Sequence, residues 1–163
     1  MRKIKKEFVT DLIVKVWPTG NSSIAPGTIS SLVSAVIGYT INLSLGSDIT
    51  LLFGIISGFI GLYFTKHYIK SSLNKDPKEV VIDEFSGQLI ASSAAGISPL
   101  FNIVAFVLFR IFDIFKPSII SKAEKLDGAI GIMLDDWLAG IFSAAILFLF
   151  FFLGFIKYNW FLF

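Results

Sequence analysis

The sequence predicts an all-α, polytopic membrane protein with about four membrane-embedded regions, one of them a helical hairpin. Three observations carry that expectation. Hydrophobic residues make up 55% of the 163-residue chain and charged ones 16%, with a mean hydropathy of +0.78 and 18 Phe. That is too little charge to cover the surface of a soluble domain of this size. Residues 137–156, with the run AAILFLFFFLGFI, have the length and apolarity of a bilayer span, about 20 residues. Finally, thirteen of the fourteen Lys and Arg fall in three places: the N-terminal segment (2, 3, 5, 6, 15), the loop 66–78 and the stretch 110–125. Such clustering is expected of cytoplasmic segments between spans.

The chain reads as a single membrane-embedded domain over 1–163. Residues 1–27 form a basic cytoplasmic or interfacial segment, whose apolar stretch is interrupted by Asp11 and Lys15 and so does not read as a cleavable signal peptide. The polar loop GNSSIAPGTISS (20–31) feeds the first apolar region, and Thr28 with neighbouring amides either caps a helix or binds an anion there. Apolar regions at 28–45 and 49–64 are joined by SLGSD, a turn without Lys or Arg. The third, 85–109, contains GISP at 96–99, where Gly and Pro break a helix. One kinked span or two helices folded back on each other satisfy that break. Only the hairpin leaves all three basic segments on one side, so the hairpin is expected. In DPKEVVIDEF (76–85), Asp76 is placed to cap a helix, with Pro77 at its first position and Glu79 reaching back. This helix would end near Gly96, and a second would run from Leu100 to just before Pro117. The last span, 137–156, anchors the C-terminal part.

Several function classes are excluded or disfavoured. The net charge of +2 and the lack of a basic, aromatic-interleaved stripe argue against nucleic acid as a partner. With no Cys and only His67, neither a thiolate zinc site nor a histidine cluster forms within one chain. What remains is carboxylate chemistry. Asp83 and Glu84 open an apolar run two turns past the expected cap, beyond the reach of the helix dipole, where ionisable groups are costly and often functional. Asp135 and Asp136 repeat the arrangement; a simple N-cap would need one aspartate, not two. Small residues follow each pair, Ser86, Gly87 and Ala91 after the first and Ala139 and Gly140 after the second, and invite close helix packing. Arg110, Asp113 and Lys116 recur every third residue, as an interfacial ion-pair ladder or as an anion clamp. Acids from several helices would repel one another without a cation, and oxygen donors without Cys or His favour Mg²⁺ over zinc. His67, Glu124 and Asp127 read as solvated loop residues.

Four strings, APGTISSL (25–32), DPKEVVIDEFSGQLI (76–90), LFRIFDIFKP (108–117) and GAIGIMLDDWLAG (128–140), resemble the phosphatidylglycerophosphatase A family of bacterial membrane phosphatases in order and spacing. Ser30 and Ala129 stand where that family commonly has glycine. The resemblance implies Mg²⁺-dependent removal of the terminal phosphate from phosphatidylglycerophosphate, a phospholipid substrate in the bilayer. It also implies a multi-pass protein of the bacterial inner membrane with its site facing the cytoplasm. By matching position it points to Asp76, Asp83, Glu84, Asp113, Asp135 and Asp136, with Arg110, Lys116 and Thr28 beside them. Chemistry then divides the roles. Asp83, Glu84, Asp135 and Asp136 are the metal candidates and Arg110, Lys116 and Thr28 the phosphate binders. Asp113 and Asp83 are the catalytic candidates, with Asp113 a further ligand or the base that orients water. The same acids would serve a cation-coupled transporter or channel, and a scaffold whose charges merely pair at helix ends is the third reading.

Overall fold

In a computed structural model describing residues 2–71 and 77–154, the chain is all-helical: α1 (Arg2–Val14), a short 3-10 turn (Thr19–Asn21), α2 (Pro26–Leu45), α3 (Ser47–Ser71), α4 (Ile82–Ser93), α5 (Pro99–Phe115), α6 (Ser118–Glu124) and α7 (Ala129–Phe152). Pro26–Leu45, Ser47–Lys70 and Ala129–Phe152 are long and apolar enough to cross a bilayer. The expected hairpin is present. α4 ends in a turn through Gly96 (φ +58), and the Ser98 hydroxyl accepts from the Phe101 amide to start α5 with Pro99 at its first position. The chain thus alternates between two ends of the bundle, and Lys66 and Lys70 of α3, Lys78 and the basic stretch 110–125 come to one of them, the charged end. α7 begins eight residues before the expected start of the last span, so Asp135 and Asp136 lie within the helix and neither is its N-cap.

Short α4 is the hub. Nine of its twelve residues are buried, from Ile82 to Ser92, because α2, α3, α5 and α7 all pack against it. In lipid there is little hydrophobic drive between helices, so close approach and hydrogen bonds must hold them together. Small residues supply the approach. A Cβ on Gly140 of α7 would collide with the Gly87 carbonyl of α4, and one on Gly87 with the Asp136 carbonyl. On α3, a Cβ at Gly58 would strike the Trp137 ring.

Hydrogen bonds lock the register. The hydroxyls of Ser30 and Ser34 on α2 donate to the carbonyls of Val81 (2.9 Å) and Phe85 (2.6 Å). At the far end, Asn42 Nδ2 donates to the Ser92 and Gly96 carbonyls (2.8 and 2.9 Å), while the Thr50 hydroxyl donates to Asn42 Oδ1 (2.6 Å). Asn102 Nδ2 of α5 reaches the Ala35 carbonyl of α2 at 2.9 Å.

One local expectation is corrected. The helix carrying the first acidic pair begins at Ile82, not at Pro77. The Val81 amide is taken by the Val14 carbonyl at 2.9 Å, tying this stretch to the end of α1. Glu79 accepts from the Tyr68 hydroxyl (3.0 Å) instead of reaching back to a cap. Asp76 lies outside the described residues. Asp83 and Glu84 therefore occupy the first turn of α4, within the favourable field of its N-terminus.

Filling the α4–α7 contact is expected to be costly. Gly140→Val should lower stability by about 1–3 kcal/mol through overpacking, read as an earlier unfolding midpoint in detergent. Asn42→Ala, which removes the side-chain donor shared by the Ser92 and Gly96 carbonyls and the acceptor of the Thr50 hydroxyl, should cost a similar amount, about 1–3 kcal/mol.

Candidate functional site

At the charged end the N-termini of α2, α4 and α7 meet the C-terminal ends of α5 and α6 around an open cavity of about 510 Å³. Its lining includes Thr28, Asp83, Glu84, Arg110, Asp113, Lys116, Asp135 and Asp136, so eight of the nine residues singled out in the sequence share one cavity, and Asp76 lies outside the described residues.

The α4–α7 approach brings the acids together. Carboxylate oxygens of Asp83, Glu84 and Asp136 lie within 4.8 Å of one another. Asp83 and Asp136 are 8% and 3% exposed, which denies them water as a compensating partner. Two like charges about 4 Å apart near a protein surface repel by roughly 4 kcal/mol, so this triad calls for neutralisation. Part comes from the α4 N-terminus, where the Glu84 amide donates to Asp83 Oδ1 at 2.9 Å. It is not enough: Glu84 Oε2 and Asp136 Oδ1 are buried without any hydrogen-bond partner. Converging carboxylate oxygens with orphaned lone pairs are the donor set of a hard cation, and the residues present fit one.

Gly27 lets Glu84 into this position. Glu84 Oε1 fills the space that a Cβ on Gly27 would need, so the glycine at the start of α2 is the wall of the pocket. Trp137 sets the turn of α7 on α4. Its Nε1 donates to Ser86 Oγ (2.9 Å), and Ser86 in turn donates to the Asp83 carbonyl (3.0 Å).

Adjacent aspartates on a helix point about 100° apart, and the second pair is divided accordingly. Asp136 joins the triad, while Asp135 Oδ2 accepts from Lys116 Nζ at 2.7 Å. Lys116, in a left-handed conformation at the end of α5 (φ 43°), also donates to Glu124 Oε1 at 2.7 Å. Partial burial opposes the ammonium charge, but the bonds to Asp135 and Glu124 outweigh it and hold Lys116 above its ordinary value. Glu124 was not singled out in the sequence; its signal, an acid within eight residues of Lys116 beyond a Pro, has no meaning until α6 folds back. Arg110 pairs with Asp113 one turn on, and its Nη1 also reaches Ser31 Oγ of α2 at 3.4 Å. Thr28, beside the first free amides of α2, lines the same wall. The site thus has an acidic floor and a cationic rim.

The family described as phosphatidylglycerophosphatase A matches residues 12–151. A protein of Haemophilus influenzae named phosphatidylglycerophosphatase A is 36% identical over 126 residues, 76% of this chain and 77% of its own length. One of the same name from Escherichia coli is 33% identical over 160 residues, covering 97% and 89%. A Bacteroides thetaiotaomicron protein named as a phosphatidylinositol-3-phosphatase is 33% identical over 146 residues, covering 85% and 91%. No solved structure matches. With its family match spanning most of the chain and the site built from the same segments, the chain belongs to the phosphatidylglycerophosphatase A family and is a phosphatase.

Proposed function

We propose that this phosphatase hydrolyses the terminal phosphomonoester of phosphatidylglycerophosphate in a Mg²⁺-dependent reaction, leaving phosphatidylglycerol, at the cytoplasmic face of a bacterial inner membrane. The observation that carries the reading is the convergence of three carboxylates, two buried and one half-buried, beside a guanidinium in an open cavity at the bundle end. Asp83, Glu84 and Asp136 would hold the ion, with Asp135 turned toward Lys116 and supporting from behind. When bound, Mg²⁺ supplies neutralisation of the phosphoryl oxygens and a water of lowered pKa.

The rest falls to the chain's own groups. Arg110 presents a planar fork suited to two phosphate oxygens, and its pairing with Asp113 fixes the direction of that fork. Thr28 and the amides at the start of α2 add neutral donors and a favourable helix end. Asp113 lines the same cavity as the triad, where it would be the base that orients the attacking water. Lys116 acts by holding Asp135 of α7 and Glu124 of α6 in place at the cavity rim.

The acids at the charged end contrast with a far end held by Asn42, Thr50 and Ser92, an arrangement that suits surface chemistry better than ion passage through the bilayer. The cytoplasmic assignment rests on the basic stretches gathered at the same end.

The direct test is phosphate release by the purified protein in detergent. Phosphatidylglycerophosphate should be cleaved with Mg²⁺ and left intact with a chelator, and should be preferred to phosphatidylinositol 3-phosphate, the rival suggested by the Bacteroides relative. Equal or better cleavage of the inositol lipid would reassign the headgroup.

Within the site, Asp135→Asn or Lys116→Met should cost about 10–100-fold in activity, as expected of groups that orient ligands. Asp136→Asn should cost more than either. Gly27→Ala, by displacing Glu84, should raise the Mg²⁺ concentration needed for half-maximal rate by about 10-fold or more, with folding judged unchanged by its unfolding midpoint.

A further inference from the structure

A lipid phosphatase has to admit a headgroup while two acyl chains stay in the bilayer, so one wall of its cavity must open sideways. α3 lends no side chain to the lining, and α5 forms the wall with a neighbour on each flank. The flank toward α7 is shut by aromatic packing. Phe112 lies 5.9 Å from Phe142 and Phe101 4.9 Å from Phe151, centroid to centroid, and Ile120 of α6 is wholly buried beside them.

The flank toward α2 is built differently. It is joined by polar contacts, the Asn102 amide on the Ala35 carbonyl and Arg110 on the Ser31 hydroxyl, which mark the seam between the two helices. Ser30 and Ser34 face away from it, onto α4. One position beyond Ser31 and Ala35, Leu32 and Val36 are exposed, and on α5 Ile103 and Val107 are exposed in the same manner. Each pair is spaced i, i+4, so each lies along one side of its helix. Following the helical rotation from the residues that touch, both pairs fall on the outward side of the seam, as two apolar rails. At the charged end the rails lead to Arg110, which belongs at once to the seam and to the cavity lining.

We infer that the α2–α5 seam is the lateral entry of the lipid substrate, its acyl chains lying along Leu32, Val36, Ile103 and Val107 while its phosphate meets Arg110. This rests on the lipid-phosphatase reading above and goes beyond it by naming where the apolar part of the substrate sits. The occupant is chosen by continuity: the exposed apolar side chains of α2 and α5 lead to Arg110, which also lines the polar cavity, and apolar chains joined to an anionic head are the division of a phosphomonoester lipid.

The chain contains no Cys, so single labels are clean. A Cys replacing Val107, and as control one replacing the exposed Phe148 of α7, would carry bimane in nanodiscs with Mg²⁺. The quencher is a brominated-chain diacylglycerol phosphonate, whose C–P bond resists hydrolysis, compared with brominated phosphatidylcholine at equal mole fraction. The phosphonate should quench the label at Val107 several-fold more strongly than phosphatidylcholine does, and the label at Phe148 equally. Equal quenching by both lipids at Val107 overturns the entry. Phosphate release by the unlabelled chain is read separately; its absence would count against hydrolysis, while the quenching ratio alone decides the seam.

Discussion

Everything at the charged end depends on how closely α4 and α7 pass. The Gly87 and Gly140 backbones touch where any side chain would intrude, and this contact lies one turn from both Asp83 and Asp136. Were the helices held apart by even one methyl group at each position, the carboxylates from α4 and α7 could not share a ligand. Packing and chemistry are thus one problem here. The same glycines that let two helices associate without a hydrophobic drive also set the spacing of the charges.

Having forced acids together, the fold has to keep them from driving it apart. It does so by dividing the work. One oxygen of Asp135 is satisfied by Lys116, Asp113 by Arg110, and Asp83 in part by the first turn of α4. The remainder, on Glu84, Asp136 and the second oxygen of Asp135, is left without a partner in the protein. Burial makes such a remainder expensive, and a cation that bound these oxygens would stabilise the fold by relieving that cost. The cationic rim cannot relieve it, because Arg110 and Lys116 are each already committed to another carboxylate. They remain able to meet an incoming anion because both still line the cavity.

Much of this was legible in the residues. The hairpin followed from Gly96 and Pro99 together with the one-sided distribution of Lys and Arg. The gathering of the acids followed from their unlikely place at the head of apolar stretches. What escaped was set by contacts distant in sequence. The start of α4 is decided by the Val14 carbonyl, nearly seventy positions upstream of Val81, and no local cap signal can report that. The split of Asp135 from Asp136 needed the end of α5 in position, and Glu124 looked solvated until α6 folded against α7. Asn42 and Asn102 did leave a trace, as lone amides in apolar stretches. Such groups in a membrane helix ask for a partner on another helix, and both find a backbone carbonyl there.

The hairpin has a further consequence for how the protein is made. Its tip, residues 94–98, carries no charge, and neither does Gly46 at the other connection on that side. Biogenesis of the α4–α5 pair therefore asks the bilayer to pass no ionised group through its oily layer, since both legs are threaded from, and return to, one leaflet. With the charged end on the side from which the chain inserts, the cavity's charged groups would be gathered without any of them crossing the bilayer.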